Sequence, residues 1–362
     1  MATTSSSSAL TSQEVRRWTR VGVLAALAML LSYAEAFVPI PIPGVKLGLA
    51  NIAVLAALMD GDIAGAFCIS AIKVLAAGFL FGSPLTMAYS AAGTLLAFVG
   101  MAPLSRLRSM HVVMLSVAGA LLHEIGQLLV AQLLLGTTTV WYLAPVLLVA
   151  GCITGAICGV LANRLDKSLR VQEDDVESNA NVPRPIEPKA HPSAIWSLLL
   201  LLALVALVLH VSDLRILAAA CTLSILACLL LRIRPALLFR SVVPLLPLAL
   251  FTFFIQYATA PQTAFGETVR TLLRLASIAA ICSSFAKRVP ANEMSSTIAW
   301  MVEPLRRLGV RTDGFVLAFD VAIRLVPTIS ELVTPSNVRL KDVPQLVPRA
   351  YARLMEQANT SQ

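Results

Sequence analysis

Charged residues are scarce in this chain. Only 13% of the 362 residues are Asp, Glu, Lys or Arg, whereas 57% are hydrophobic. Soluble domains carry about 25% charged residues. This balance excludes an ordinary soluble protein and predicts an all-α, polytopic helical bundle in a lipid bilayer. The formal net charge of +8 does not indicate nucleic-acid binding, because no basic face with interleaved aromatic residues occurs.

Catalytic and metal-binding motifs are also missing. There is no Walker A sequence, no GxSxG and no HExxH, since "HEIGQ" at 123–127 ends in glutamine. No aspartate-rich motif for diphosphate and magnesium is present. The six cysteines form no CxxC pair and lie inside apolar runs, which is typical of small buried side chains. We therefore expect no enzyme active site, no metal and no cofactor in this chain.

The sequence is rich in long apolar runs. A helix needs about 20 mostly apolar residues to cross a bilayer, and the first half offers six candidates: 21–42, a shorter 46–59, 62–81, 84–102, 111–135 and 141–162. Basic residues precede the first candidate and follow the fourth and sixth: Arg16, Arg17, Arg20, Arg106, Arg108, Arg164, Lys167 and Arg170. With a cytoplasmic N-terminus, all of these lie on the cytoplasmic side, as the positive-inside rule requires. The sequence therefore predicts a six-helix module in the cell membrane.

The start of the chain has a second interpretation. Basic residues, an apolar run and "AEA" at 34–36 also have the layout of a cleaved signal peptide. The long polar leader and the continuation of the run through Phe37 and Val38 favour an uncleaved first helix.

A hydrophilic stretch divides the chain. The segment "VQEDDVESNANVPRPIEPKAHPS" at 171–193 is acidic, then proline-rich, and almost free of apolar residues. Such a composition is typical of a linker. The predicted organisation is a leader (1–20), a first membrane module (21–165), a cytoplasmic linker (166–194), a second membrane module (195–333) and a basic tail (334–362).

The second module is less regular and is predicted to hold four to five helices. Four apolar runs lie at 195–210, 213–231, 241–259 and 269–286. Residues 290–311 mix apolar and charged residues and predict an amphipathic helix pair broken at Pro304. A further helix is predicted at 313–333. If this helix crossed the membrane, the basic tail would lie outside the cell. We therefore expect the helix to be re-entrant or to lie against the cytoplasmic face. Both chain termini are then cytoplasmic.

Polar residues within the first module are candidates for a binding pocket. They are Lys46, Asn51, Lys73, His123, Glu124 and Gln127. Ionisable groups in a membrane are costly and usually face the bundle interior or a cavity. Glycines beside Lys46 and Asn51 let a backbone approach a ligand. His123 and Gln127 are four residues apart and are expected to share a helix face.

Each candidate also has a structural interpretation. Lys46 is also placed as expected for a lysine whose side chain extends to the membrane interface. Lys73 fits an ion pair with Glu35 or with Glu124. His123 and Gln127 fit hydrogen bonds that fix helix packing. In the second module, Asp320 and Arg324 are spaced as a helix-surface ion pair, or as part of a scaffold that transmits motion from a partner.

Several stretches resemble known families. "PGVKLGLANI" (43–52), "FGSPLTMAYSAAGTLLA" (81–97) and "HEIGQLLVAQ" (123–132) resemble the Gx transporter family. That family is also labelled heptaprenyl diphosphate synthase component I, and it is similar to the substrate-binding (S) components of energy-coupling-factor transporters. "MVEPLRRLGV" (301–310) and "AIRLVPTISE" (322–331) resemble the transmembrane (T) component of the same transporters, the CbiQ-like family.

The resemblance implies an importer for a small molecule, vitamin-like or an isoprenoid or quinone precursor. Separate cytoplasmic ABC-type ATPase subunits would drive it. T components usually end in two Ala-Arg motifs that dock on these ATPases, but this chain has only "YARL" at 351–354. Arg324, Ala352 and Arg353 are therefore the coupling candidates. The resemblance also leaves open an accessory role in isoprenoid or quinone biosynthesis, and a membrane subunit for flavin-linked extracellular electron transfer.

Overall fold

The structure is a computed structural model that describes residues 11–35, 48–80, 84–107, 109–173, 192–233, 246–288 and 312–325. Every regular element in these ranges is helical. The first half contains α1 (Ser12–Glu35), α2 (Asn51–Met59), α3 (Ile63–Leu80), α4 (Pro84–Leu104), α5 (Val112–Leu135), a 3₁₀ helix (Thr138–Leu143) and α6 (Ala144–Glu173). The second half contains α7 (Pro192–His210), α8 (Leu214–Leu230), α9 (Leu246–Thr259), α10 (Pro261–Arg288) and α11 (Asp313–Arg324). The prediction of an all-α protein is confirmed for the described residues.

Within the described residues, four helical segments have the length and apolar composition to cross a membrane. They are Met87–Leu104, Val112–Leu135, Thr138–Arg164 and Pro261–Phe285. Apolar stretches in α3, α7, α8 and α9 are shorter. The length and composition of these helices therefore indicate a membrane protein. The full layout of six plus four to five crossings stays a prediction.

Three helices extend beyond the apolar runs that predicted them. α1 begins at Ser12 because Thr11 and Glu14 form a reciprocal capping box, in which the Thr11 hydroxyl accepts from the Glu14 N–H and the Glu14 carboxylate accepts from the Thr11 N–H. α10 begins at Pro261, a residue suited to the first helical position. α6 continues to Glu173, so the first residues of the predicted linker are helical. Hydropathy alone misses such polar helix ends.

Other predicted segments lie outside the described residues. These are the amphipathic pair at 290–311, the end of the 313–333 helix and the basic tail.

Two ion pairs and one hydrogen bond define the relative orientation of α1 and α2. Arg17 on α1 binds Asp62 through two hydrogen bonds of 3.0 and 2.5 Å, and Arg20 binds Asp60 at 2.5 Å. These pairs place the turn between α2 and α3 beside the start of α1. At the other end of α1, the Glu35 carboxylate accepts a hydrogen bond from the N–H of Gly48 at 3.0 Å. α1 and α2 are therefore antiparallel, and the start of α2 lies near the end of α1.

The second half packs on the first in two places. The first, the α1–α11 joint, consists of Trp18 and Gly22 facing Gly314, Ala318 and Val321. A Cβ placed at Gly22 would lie 2.7 Å from the Cβ of Val321 and 2.8 Å from the carbonyl oxygen of Ala318. α11 thus runs alongside α1 in close contact, and most of its residues are buried in the core that α1, α2 and α3 form. The expectation that α11 does not make a separate crossing stays a prediction.

The second contact, the α5–α10 joint, consists of Leu135, Gly136, Thr271 and Arg274. The Thr271 hydroxyl donates to the Leu135 carbonyl at 3.3 Å, and the Arg274 guanidinium packs against Gly136 and donates to the Val211 carbonyl at 3.1 Å. Gly136 ends α5 with a φ of 70°, and a cation near a helix C-terminus complements the helix dipole. Apolar side chains from both halves form a shared cluster around this joint.

Candidate functional site

A polar cleft lies between α2, α5 and α6. Its cavity volume is about 20 Å³, which is room for about one water molecule. Its lining residues are Gly48, Asn51, Ser116, Ala120, His123, Glu124, Thr154, Gly155 and Cys158. Most of these side chains are small or can form hydrogen bonds, although the helices around them are apolar.

Helix geometry explains why these residues converge. On α5, Ser116, Ala120, His123 and Glu124 recur at the spacing that places side chains on one face. On α6, Gly155 permits a close approach, because a Cβ there would lie 2.8 Å from the Cα of Val117 on α5. The cleft therefore lies about half-way along two closely packed helices.

Asn51 and Lys73 bring α2 and α3 into the site. The Lys73 ammonium donates to the Asn51 side-chain oxygen at 2.5 Å, and Lys73 is buried. Asn51 lines the cleft. Because its oxygen accepts from Lys73, its amide NH₂ is the group it offers to a ligand. Lys73 thus acts on the cleft through Asn51.

His123 is positioned by its neighbours on two helices. Its Nε2 lies 2.8 Å from the side-chain nitrogen of Gln127, which confirms the predicted shared face. Gly93 of α4 provides the space for the ring, since a Cβ there would lie 2.8 Å from Nδ1. Gln127 itself is not a lining residue and acts through His123.

Two further groups set the electrostatics of the cleft. The Glu124 side chain lines it and the residue is only 5% exposed. Cys158 lines it from α6 and is 3% exposed. A carboxylate, an amide, two hydroxyls, an imidazole and a thiol therefore surround a small space, an arrangement suited to binding a polar molecule.

The structure brings together some predicted site residues and leaves others aside. Asn51, His123 and Glu124 line the cleft, and Lys73 and Gln127 support it. Lys46 lies outside the described residues, as do Ala352 and Arg353. Arg324 is exposed and binds the buried Asp320 at 2.9 Å, which is the geometry of the predicted i, i+4 ion pair.

Sequence reasoning missed Ser116, Thr154, Gly155 and Cys158. The signal for Ser116 was available, since it precedes His123 by two helical turns on the same face. The α6 residues gave no such signal, because Cys158 fits a small buried side chain and Gly155 fits ordinary helix packing. Among the described residues, no group of three or more His, Cys, Asp and Glu side chains is arranged to hold a metal ion.

Comparison with known proteins gives one finding for the region of the cleft. Residues 24–165 match the family described as heptaprenyl diphosphate synthase component I. Neither the curated proteins nor the solved structures give a match to the chain. The family match ends before α7, so the likeness of the second half to a T component stays a prediction. The part of the chain that forms the cleft, from α1 to α6, is similar to the heptaprenyl diphosphate synthase component I family.

Proposed function

We propose that this chain is the membrane subunit of an energy-coupling-factor-type importer for a small molecule. The observation that carries the proposal is the polar cleft between α2, α5 and α6, set within long apolar helices. Buried polar groups at membrane depth are costly and usually mark a substrate path or site. The first half would hold the substrate, and the second half would couple its movement to ATP hydrolysis by separate ATPase subunits.

The two joints support the coupling part of the proposal. The α5–α10 joint connects the second half directly to the end of the helix that carries His123 and Glu124. The α1–α11 joint connects it to α1, whose last residue, Glu35, binds Gly48 in the lining of the cleft. Movement of the second half therefore has two mechanical routes to the cleft. We place both chain termini on the cytoplasmic side, where basic residues are enriched.

The similarity of residues 24–165 to the heptaprenyl diphosphate synthase component I family favours a second candidate function, an accessory role in prenyl diphosphate synthesis. In that role the chain would assist a separate prenyltransferase and would itself catalyse no chain growth. The two candidates predict different partners. The importer should copurify with ATPase subunits, and the accessory protein with a prenyltransferase.

The test is purification of the tagged full chain from its native membrane in mild detergent, followed by mass spectrometry of proteins and small molecules. ATPase subunits together with a bound small molecule are expected. The variant Asn51→Leu should lose the small molecule and keep the ATPases. The control is Gln132→Leu, which removes an amide that binds Trp141 outside the cleft. A prenyltransferase or a flavoprotein in place of ATPases would overturn ATP-driven import and support the corresponding alternative.

A further inference from the structure

The helix α10 carries two arginines and one glutamate on the same side. Glu267, Arg270 and Arg274 recur at spacings of three and four residues, which place side chains on one helix face. The Arg270 guanidinium pairs with the Glu267 carboxylate. Arg274 donates to the Val211 carbonyl at 3.1 Å and packs against Gly136, and within the described part of the chain it makes no ion pair. One carboxylate therefore accompanies two guanidinium groups.

Both arginines are partly withdrawn from water. Arg274 is only 7% exposed, whereas the side chain of Arg270 is 30% exposed. The Nε atom of each guanidinium is buried and, among the described residues, has no hydrogen-bond partner. Both residues lie in Pro261–Phe285, a segment able to cross a membrane, where a charged group is costly and usually functional. Because Arg270 reaches the surface, a ligand can contact it without entering a closed cavity.

The other charges at this end of the helices do not balance the second arginine. Asp213 caps the start of α8, where its carboxylate accepts from two backbone N–H groups. Glu35 accepts a hydrogen bond from the N–H of Gly48 at 3.0 Å. Residues 36–47 and 81–83, which connect helices at the same end but lie outside the described residues, contain no Asp or Glu. Positive charge is therefore in excess near the α5–α10 joint.

We propose that Arg270 and Arg274 form a binding site for a phosphate group at the α5–α10 joint. A guanidinium presents its N–H donors in a planar fork that matches phosphate oxygens, and such charge-assisted hydrogen bonds are about twice as strong as neutral ones. The exposed part of Arg270 makes the contact, and the buried Arg274, one turn along α10, adds a second positive charge. The site lies apart from the polar cleft, so the proposal does not depend on the proposed function.

The phosphate group has two candidate sources, the head group of a phospholipid and free phosphate in solution. Positively charged pockets between transmembrane helices bind lipid head groups. Phe265 and Leu272 are exposed on the same part of α10, so acyl chains reach the level of the arginines. A phospholipid bound there would lie where α10 meets the end of α5 and would strengthen the contact between the two halves of the protein.

The test titrates the purified full chain in detergent with three probes. They are dioctanoyl phosphatidylglycerol, dioctanoylglycerol, which is the same lipid without the phosphate, and inorganic phosphate. Native mass spectrometry measures binding of the two lipids, and the shift in thermal unfolding measures binding of all three probes. We expect phosphatidylglycerol to bind and to raise the unfolding temperature, and dioctanoylglycerol to do neither. Binding of inorganic phosphate in place of phosphatidylglycerol would equally support the site and would identify a free anion as its ligand.

Variants of the arginine pair assign the binding to this site. Arg270→Gln should weaken binding of the phosphate probe about tenfold, because it removes hydrogen bonds from a charged group. Arg270→Lys keeps the charge but not the planar fork, so it should restore only part of the affinity. Glu267→Gln removes the carboxylate that competes for Arg270 and should strengthen binding. The matched control is Arg215→Gln, which removes the same charge from an exposed position at the start of α8 and should leave binding unchanged.

Arg274→Gln should also weaken binding. Because Arg274 contacts the ends of α5 and α7, this variant can fail to fold, and the Arg270 variants then carry the test. Equal binding of dioctanoylglycerol and phosphatidylglycerol, binding of neither phosphate probe, or equal weakening by Arg270→Gln and Arg215→Gln would overturn the proposal. None of these outcomes bears on the cleft, so this inference and the proposed function fail separately.

Discussion

The two halves of the protein use buried polar side chains in different ways. In the first half, polar groups from α2, α5 and α6 point into one shared space. In the second half, buried hydroxyls donate to their own helices, as Ser277 does to the Leu273 carbonyl at 2.7 Å and Thr252 does to the Ala249 carbonyl at 2.8 Å. Others, such as Thr271, donate to the first half. In the first half Thr154 also donates to its own helix, to the Gly151 carbonyl at 3.4 Å. What distinguishes the first half is that polar side chains from three helices gather around one space, whereas the buried hydroxyls named in the second half donate to helix carbonyls.

Because of this difference, mutations in the joints and mutations in the cleft should have different effects. Changes in the joints should alter stability or coupling and leave the chemistry of the cleft intact. Changes in the cleft should alter binding and leave stability nearly unchanged.

Substitution of Gly22 should have the largest effect on stability. In Gly22→Leu the new side chain would meet Val321 and the backbone oxygen of Ala318, and a backbone atom cannot move away cheaply. Overpacking of this kind costs about 1–3 kcal/mol and occasionally more, and we expect about 3 kcal/mol here. Thermal unfolding of the purified protein would measure it. Gly266→Leu is the control, because no atom lies within 4 Å of a Cβ at Gly266. Equal effects of the two substitutions would contradict close packing of α11 on α1.

Substitution of Gly136 separates backbone strain from the contact with Arg274. A residue other than glycine at positive φ costs about 1–2 kcal/mol, and in Gly136→Ala the Cβ would also overlap the Arg274 guanidinium. Gly61 has a similar φ of 75° and no neighbour within 4 Å, so Gly61→Ala measures the strain alone. We expect Gly136→Ala to destabilise the protein by about 1 kcal/mol more than Gly61→Ala, because Arg274 must move. If the two variants unfold at the same temperature, Arg274 does not hold the end of α5.

Two buried serines test the comparison most directly. Ser116 lines the cleft, whereas Ser277 donates to its own helix. We expect Ser277→Ala to change stability by less than about 1 kcal/mol and to leave the amount of copurifying small molecule unchanged. Ser116→Ala should lower that amount, because it removes a hydroxyl from the lining. Thermal unfolding and mass spectrometry of both purified variants would measure this, and equal effects on the bound small molecule would contradict the separation of roles.

The course of the helices was largely predictable from the sequence. Apolar runs located α5 to within one residue at its start and predicted the start of α4 at Pro84. Those runs failed at polar helix ends, because capping by Thr11 and the helix start at Pro261 do not depend on hydropathy. The contacts of α11 with α1 were not predictable, since they join residues from opposite ends of the chain.

For the cleft, the sequence predicted which residues of one helix lie together, but not which helices come together. The spacing of His123 and Gln127 gave their shared face, which is a local property of α5. The bond between Lys73 and Asn51 depends on how α2 and α3 pack, so the sequence offered Glu35 and Glu124 as partners for Lys73 but not Asn51. Thr154 and Cys158 belong to the cleft only because glycines let α6 approach α5. Local periodicity is visible in a sequence, whereas packing between helices is not.

The smallest expected effect concerns the contact between α1 and the α2–α3 turn, away from the cleft. Arg17 also lies over the Trp18 ring of the α1–α11 joint, 5.0 Å from its centroid. Burial by itself raises the pKa of Asp62, but hydrogen bonds from Arg17 and from the N–H of Gly65 outweigh it and hold the pKa below its usual range. A carboxyl group with a lowered pKa stabilises the folded state above the usual aspartate pKa, and this contribution is lost as pH falls through the lowered value. Asp62→Asn should therefore cost less than about 1 kcal/mol near neutral pH, and its difference from the native protein should shrink in acid. Unfolding measured across the acidic range, with Arg17→Gln and the double variant completing a cycle, would test this. A difference that stays constant with pH would mean that Asp62 contributes by packing and that its charge is not involved.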